Sequence, residues 1–200
     1  MTSRKVVGVF LNSAVHQPHI NALTAMTHGI RETTDNLVFL SNSTKYMDCD
    51  IAVIFGSWKN RLTKHHVLKN DIVNKHKGDL LVVETPLLGR MITEDHKYYR
   101  VGKGHYMDTL GYFNNKKSDK DRWGIIRTDL GLEIKDWRKD GKHIMFLMQL
   151  PGDAATANVD ILKWLQDEIV KCKKISDRPV RVRMHPLISS YDLSKFEEFV

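Results

Sequence analysis

Arg181, Arg183 and His185 alternate along the short run PVRVRMHP near the end of the chain. In an extended strand such alternation puts all three side chains on one face. Two guanidiniums and an imidazole side by side suit a diphosphate or a phosphosugar. The run QLPGD lies upstream and supplies Gln149, Gly152 and Asp153 just ahead of an amphipathic stretch. A helix starting there would add free backbone N–H groups and the positive end of its dipole, a natural seat for an anion. The basic row also fits an edge strand with a solvated face.

The elements that must position these residues are legible around them. An apolar run at 143–150 stops at Pro151. An amphipathic run at 158–175 follows, with Ile161, Trp164, Leu165, Ile169 and Val170 on its apolar side and Lys163, Asp167, Lys171 and Lys174 on its wet side. A second apolar run covers 179–184. This order predicts a βαβ unit whose two polar loops leave the same edge of a sheet, the edge at which open α/β sheets bind ligands. The closing ISSYDLSKFEEFV predicts a turn and a short helix capped by Asp192 or Ser194.

The first half carries the same alternation. Apolar, β-branched runs at 5–11, 36–41, 50–57 and 80–84 read as strands. A helix opens at Pro18, with Ile20, Leu23, Met26 or Thr27, and Ile30 on one face, and another covers 61–77. Strands alternating with helices predict a parallel sheet covered on both faces. The loops after its strands gather on one rim and bring Asn12, Ser13, Gly56, Ser57, Glu84 and Thr85 together. Glu84, ending a strand at that rim, is placed to take a proton from an acceptor hydroxyl. A structural ion pair between Glu84 and Arg90 fits equally. His105 and Asp108 follow a glycine turn, Gly102-Lys103-Gly104, and form a second candidate acid–base pair, although a loop histidine without catalytic duty is the commoner case. That turn is no dinucleotide fingerprint, because Met107 stands where the third glycine would fall. No GxxxxGK[ST] occurs anywhere.

Two hundred residues make one large domain, or one domain and part of another. A hydrophobic content of 42% is enough for a core, yet no apolar run approaches the roughly 20 residues that span a bilayer. No signal-peptide pattern opens the chain. Cys49 and Cys172 lack metal or disulfide spacing, which predicts a reducing cytoplasm. Adjacent His65 and His66 do not converge on a helix, so no metal is expected. The formal charge is +7 and the pI about 9.3. Lys97, Arg100, Lys103, Lys116, Lys117, Lys120 and Arg122 concentrate that charge in the middle, interleaved with Tyr98, Tyr99, Tyr106, Tyr112 and Phe113. Cations follow a phosphate backbone and aromatic faces stack on exposed bases, so DNA is a candidate partner. Ordinary surface solubilisation and core aromatics account for the same residues.

QLPGD, the following helix with Asp160 and Trp164, and DRPVRVRMHP together resemble the nucleotide-binding half of GT-B-type glycosyltransferases. The pattern is most similar to capsular-polysaccharide-type transferases and to phage enzymes that add sugars to hydroxymethylated DNA bases. The resemblance extends upstream through VVETPLLGR, YYRVGKGHYMDTLGYF and DRW, and so spans roughly 79–186. It implies two Rossmann-like halves with a nucleotide sugar in the cleft between them. Gln149, Gly152, Asp153, Arg181, Arg183 and His185 would hold that donor, and the first half, with Asn12, Ser13 and Arg90, would form the acceptor side. In the resembled enzymes the C-terminal domain is larger, and an acidic residue further on commonly holds the ribose. No position here takes that role.

The expected fold is therefore α/β, GT-B-like, with an acceptor domain at 1–130 and an incomplete nucleotide-sugar domain at 131–200. Incompleteness implies a truncated or split gene product, or a second chain that completes the domain; a homo-oligomer is the other candidate assembly. The expected function is transfer of a sugar from a nucleotide sugar to a hydroxyl, with hydroxymethylated phage DNA or a capsular or other surface polysaccharide as acceptor. No cofactor and no membrane are expected, and the location is the cytoplasm, the host's for a phage-encoded chain. The alternative is a non-catalytic module that binds nucleic acid or a partner chain.

Overall fold

The computed structural model describes residues 4–59, 62–88, 98–107, 109–114, 116, 119–151, 153, 156 and 159–186. The chain divides into two compact units, Met1–Glu133 and Ile134–Val200. Gly152, Arg90, Asp108, Lys97, Lys117, Asp192 and Ser194 lie outside the described residues.

The first unit is an α/β layer structure. Its elements are β1 (Val6–Phe10), a 3-10 turn (Leu11–Ser13), α1 (Gln17–Thr33), β2 (Leu37–Ser41), β3 (Ile51–Phe55), α2 (Lys64–Lys75), β4 (Asp79–Glu84), β5 (Arg100–Lys103) and α3 (Arg122–Asp129). The sheet order is β2-β1-β3-β4-β5. The first four strands run parallel, and β5 pairs antiparallel with β4.

Alternation along each central strand explains why both faces are covered. Val7, Val9, Val53, Phe55 and Val83 point to one side and pack on Leu23, with Ile20, Met26 and Ile30 of α1 against them. Phe10, Ala52, Ile54 and Val82 point to the other side and pack on Leu68 and Ile72 of α2. A strand buried on both faces reads as a continuous apolar run, as VVGVF and IAVIF do. The chain leaves β1 toward β2 and then returns past it to β3 and β4. The strand order therefore reverses between β1 and β3, and the carboxyl ends of those strands flank the crevice such a reversal opens.

The second unit holds β6 (Ile144–Leu147), α4 (Ile161–Ile175) and β7 (Val180–Arg183), with β6 and β7 paired in parallel. This is a βαβ unit. Met148, Ile161, Leu165, Ile169 and Val180 are its buried core, with Ile144, Phe146, Val182 and Met184 packed around them. Helix α4 starts at Ile161, later than the expected 158, because Asp160 is its cap: the carboxylate accepts from Leu162 N and Lys163 N. Helix α3 was not expected. None of its residues is buried, so no apolar stripe announced it. Among the described residues no helix is long and apolar enough to cross a membrane.

Candidate functional site

The carboxyl rim of the first unit is built by side chains tied to backbone. Ser13 is buried; its hydroxyl donates to Phe10 O at 2.6 Å and accepts from Phe55 N at 2.8 Å. It thereby bridges β1 and β3 at the reversal point. Asn12 Nδ2 donates to Asn42 O and to Ser43 O, tying the β1 loop to the β2 loop. The hydrogen bonds of both residues hold loops together, so these two shape the rim rather than offer it free polar groups.

Glu84 ends β4 at the same rim. Its Oε1 accepts from Thr85 N at 2.7 Å and from Thr85 Oγ1 at 2.9 Å. Arg100, the register partner of Glu84 on β5, donates Nε to Thr85 O at 3.2 Å. Next to Glu84 stands a residue the sequence reading passed over. Lys69 of α2 is only 4% exposed, and its Nζ donates to Phe55 O at 3.3 Å. Burial pushes its ammonium down to about 8; the Glu84 carboxylate pulls it part of the way back, and Lys59 adds to the fall.

That displacement fixes a pH dependence. Below about 8 both folded and unfolded chains hold the Lys69 proton, and the fold bears the whole cost of burying the charge. Between about 8 and the ordinary 10.5 the unfolded chain keeps a proton that the folded chain has released. Stability therefore rises with pH across this window. Urea unfolding of the wild type and of Lys69→Met should differ by an amount that changes steadily from pH 8 to 10.5. A constant difference would remove the argument.

His105 does not suit the role of base. Its Nδ1 accepts from Met107 N at 3.0 Å, so the neutral ring carries its proton on Nε2. The ring stacks on Tyr106 at 4.2 Å and meets the edge of Trp58 at 4.8 Å. Burial lowers its pKa, which favours this neutral form. His105 is thus placed as an N–H donor within an aromatic cluster.

Beyond Arg100 the rim opens into a cavity of about 820 Å³ lined by Tyr98, Tyr99, Arg100, Phe113, Lys120, Arg122 and Trp123, among others. Tyr99 is anchored, with its hydroxyl on Pro18 O at 3.2 Å and its ring edge-on to Phe55. Tyr98 donates to Asp129 Oδ2 at 3.0 Å. Tyr98, Tyr99, Phe113, Arg100, Lys120 and Arg122 of the middle segment thus meet in one concavity, whereas Tyr106 packs on Trp58 and Lys103 pairs with Asp79. A second cavity of about 910 Å³ lies at the amino ends of the strands, among Lys5, Asp48, Asp50, Lys75, Lys77 and Asp79. Its charges are mixed, and it sits at the opposite end of the sheet from Glu84.

In the second unit the expected phosphate pocket comes apart into two places. Val180 and Val182 face α4, while Arg181 and Arg183 are exposed on the other face of the two-stranded sheet, beside Met145 and Leu147. The α4 N-terminus lies on the covered face, and the Asp160 carboxylate already takes its amides. An anionic cap takes up two of the amides and part of the helix dipole, and so disfavours a phosphate at that end. Gln149 is exposed just beyond β6, and His185 is half-buried just beyond β7. The bond from Met148 N to Arg183 O at 2.9 Å holds these two carboxyl ends together. Asp153 is half-buried in the loop after β6, where Leu150 O accepts its backbone N–H at 3.2 Å. Gln149, Arg183 and His185 therefore share one end of the sheet, and Arg181 lies two residues back along the same face.

Comparison of the chain with protein-family models, with curated proteins and with solved structures gives no match.

Proposed function

We propose that this chain is a GT-B-type glycosyltransferase, its second unit serving the nucleotide-sugar donor and its first unit the hydroxyl acceptor. The observation that carries the reading is the parallel β6-α4-β7 unit, whose paired carboxyl ends present Gln149, Arg183 and His185 together. Arg181 and Arg183 supply the positive charge that a departing nucleoside diphosphate needs. They do so from the open face of the sheet rather than from the helix end.

In the reaction, Glu84 takes the proton of the acceptor hydroxyl, and the freed oxygen attacks the anomeric carbon of the sugar. The bond from that carbon to the diphosphate oxygen breaks, and the nucleoside diphosphate leaves with its electron pair. Glu84 ends protonated and returns the proton to solvent. The cavity beside Arg100 supports a nucleic-acid acceptor, a hydroxymethylated base of DNA, because tyrosine and tryptophan faces stack on a base turned out of its helix. A surface polysaccharide is the other acceptor the site would admit.

Calorimetry with uridine, guanosine, cytidine and thymidine diphosphate sugars tests the reading. One of them should bind, and Arg183→Ala should weaken that binding about a hundredfold, the loss of a charge-assisted pair. Unchanged affinity would remove Arg183 from the site. The same cavity and the charge of +7 favour one other reading, a non-catalytic nucleic-acid-binding module. Retained DNA binding with no response to any nucleotide sugar would select it.

A further inference from the structure

Gly56 closes β3 with a φ of +73°, a conformation that side chains rarely adopt, and it leaves a gap at the rim. A Cβ at that position would lie 3.7 Å from Lys69 Nζ and 3.9 Å from Glu84 Oε2. Among the described residues no other heavy atom outside its chain neighbours comes within 4 Å of it. Lys69 gives one hydrogen bond among the described residues, to Phe55 O, so two of its three N–H groups remain for a partner. The hydrogen bonds that Glu84 accepts there both end on Oε1 and leave Oε2 facing the gap. The gap thus has a buried cation that only donates on one side and a carboxylate that only accepts on the other. A hydroxyl, which accepts one hydrogen bond and donates another, matches that pair.

Resting on the transferase reading above, we propose that the gap over Gly56 seats the acceptor hydroxyl, its oxygen held by Lys69 Nζ and its proton facing Glu84 Oε2. Lys69 is then a second catalytic residue. As the proton passes to Glu84, negative charge grows on the oxygen directly against a fixed ammonium. That ammonium is already desolvated and needs no reorganisation at the moment of attack. Lys69 keeps its own protons throughout, and the oxygen's electron pair goes to the sugar carbon. Gly56 serves by bearing no side chain, since any Cβ would occupy the place of the hydroxyl.

The test uses the full chain and the nucleotide sugar found by calorimetry, and it follows release of the nucleoside diphosphate. Water can take the hydroxyl's seat, so no acceptor need be known. Lys69→Met should lower turnover about a hundredfold or more while donor affinity stays within about twofold. Lys69→Arg should recover part of the loss, because it keeps a cation. Gly56→Ala, shown by circular dichroism to be folded, should also lower turnover; it covers the case in which Lys69→Met does not fold. Donor binding with turnover unchanged in Lys69→Met, or in folded Gly56→Ala, overturns the seat and leaves the transferase reading standing. Failure of the wild type to bind any nucleotide sugar overturns the reading itself, and the seat with it. A crystal structure of the wild type should hold an ordered water between Lys69 Nζ and Glu84 Oε2. Direct contact of those two groups, with no space over Gly56, overturns the seat as well.

Discussion

Glu84→Gln should keep the fold and lower sugar transfer by about 10²–10⁴-fold, the range a positioned general base contributes. The amide is nearly the shape of the carboxylate, and its oxygen can still accept from Thr85 N and Thr85 Oγ1, the two bonds that fix the wild-type side chain. What it loses is the capacity to take a proton. It also loses the negative charge that partly offsets the burial of Lys69, so the ammonium of Lys69 should fall further below its ordinary range. Rate measurements at saturating donor should therefore show a loss in kcat, while calorimetry shows nucleotide-sugar affinity unchanged. A variant that turns over at the wild-type rate would show that Glu84 is only the counter-charge of Lys69.

Gly78→Ala should be among the most damaging small substitutions in the first unit and should cost about 1–3 kcal/mol, the range for forcing extra atoms against closely packed neighbours. A Cβ at Gly78 would stand 2.1 Å from Asp50 O and 2.9 Å from the carbonyl carbon of Asp50. Both are backbone atoms, so no rotamer change relieves the clash. Asp50 is also where three chain segments are tied. Its N donates to Val6 O, its carboxylate accepts from Val6 N at 2.7 Å, and its carbonyl accepts from Asp79 N at 3.1 Å. Pushing β4 away from Asp50 would thus loosen β1, β3 and β4 at once. Gly29 of α1 has nothing within 4 Å of its Cβ position, and alanine there should stabilise by about 0.5–1 kcal/mol. Urea midpoints of the two variants should move in opposite directions. A Gly78→Ala midpoint equal to that of the wild type would mean that the strands separate freely at that end.

Much of the scaffold was legible because periodicity records burial. VVGVF, IAVIF and the LLVV within DLLVVE are continuous apolar runs, as strands covered on both faces must be, and all three belong to neighbouring parallel strands. The site was legible in part. Glu84 falls at a strand end that the run itself marks, so its place on the rim followed from the sequence. Lys69 did not, although there was a signal. It lies one residue from Leu68 and three from Ile72, on the apolar side of α2. A charge on that side is normally carried outward by a flexible stem, and only the position of Phe55 O shows that this one turns inward. His105 was chosen by residue type, but a backbone N–H on Nδ1 decided its protonation. The helix start at Asn158 failed because Asp160, read as part of the helix, is its cap.

The sequence by itself determined the alternation of strands and helices, the parallel pairing that such alternation requires, and the set of polar residues that close the strands. These depend on neighbours along the chain, whose spacing of 2 or 3.6 residues fixes which faces are buried. The tertiary structure decided which polar groups are already satisfied. Ser13 and Asn12 are legible as polar loop residues and Asp160 as a residue of the helix, but the fold shows that the hydrogen bonds of all three go to backbone. Arg181 and Arg183 were recognised as one row, yet the packing of Val180 and Val182 on α4 turned that row away from the helix end. The couple over Gly56 joins a helix, a strand end and a turn that lie far apart in the chain, so only folding could bring an unspent donor and an unspent acceptor to one gap.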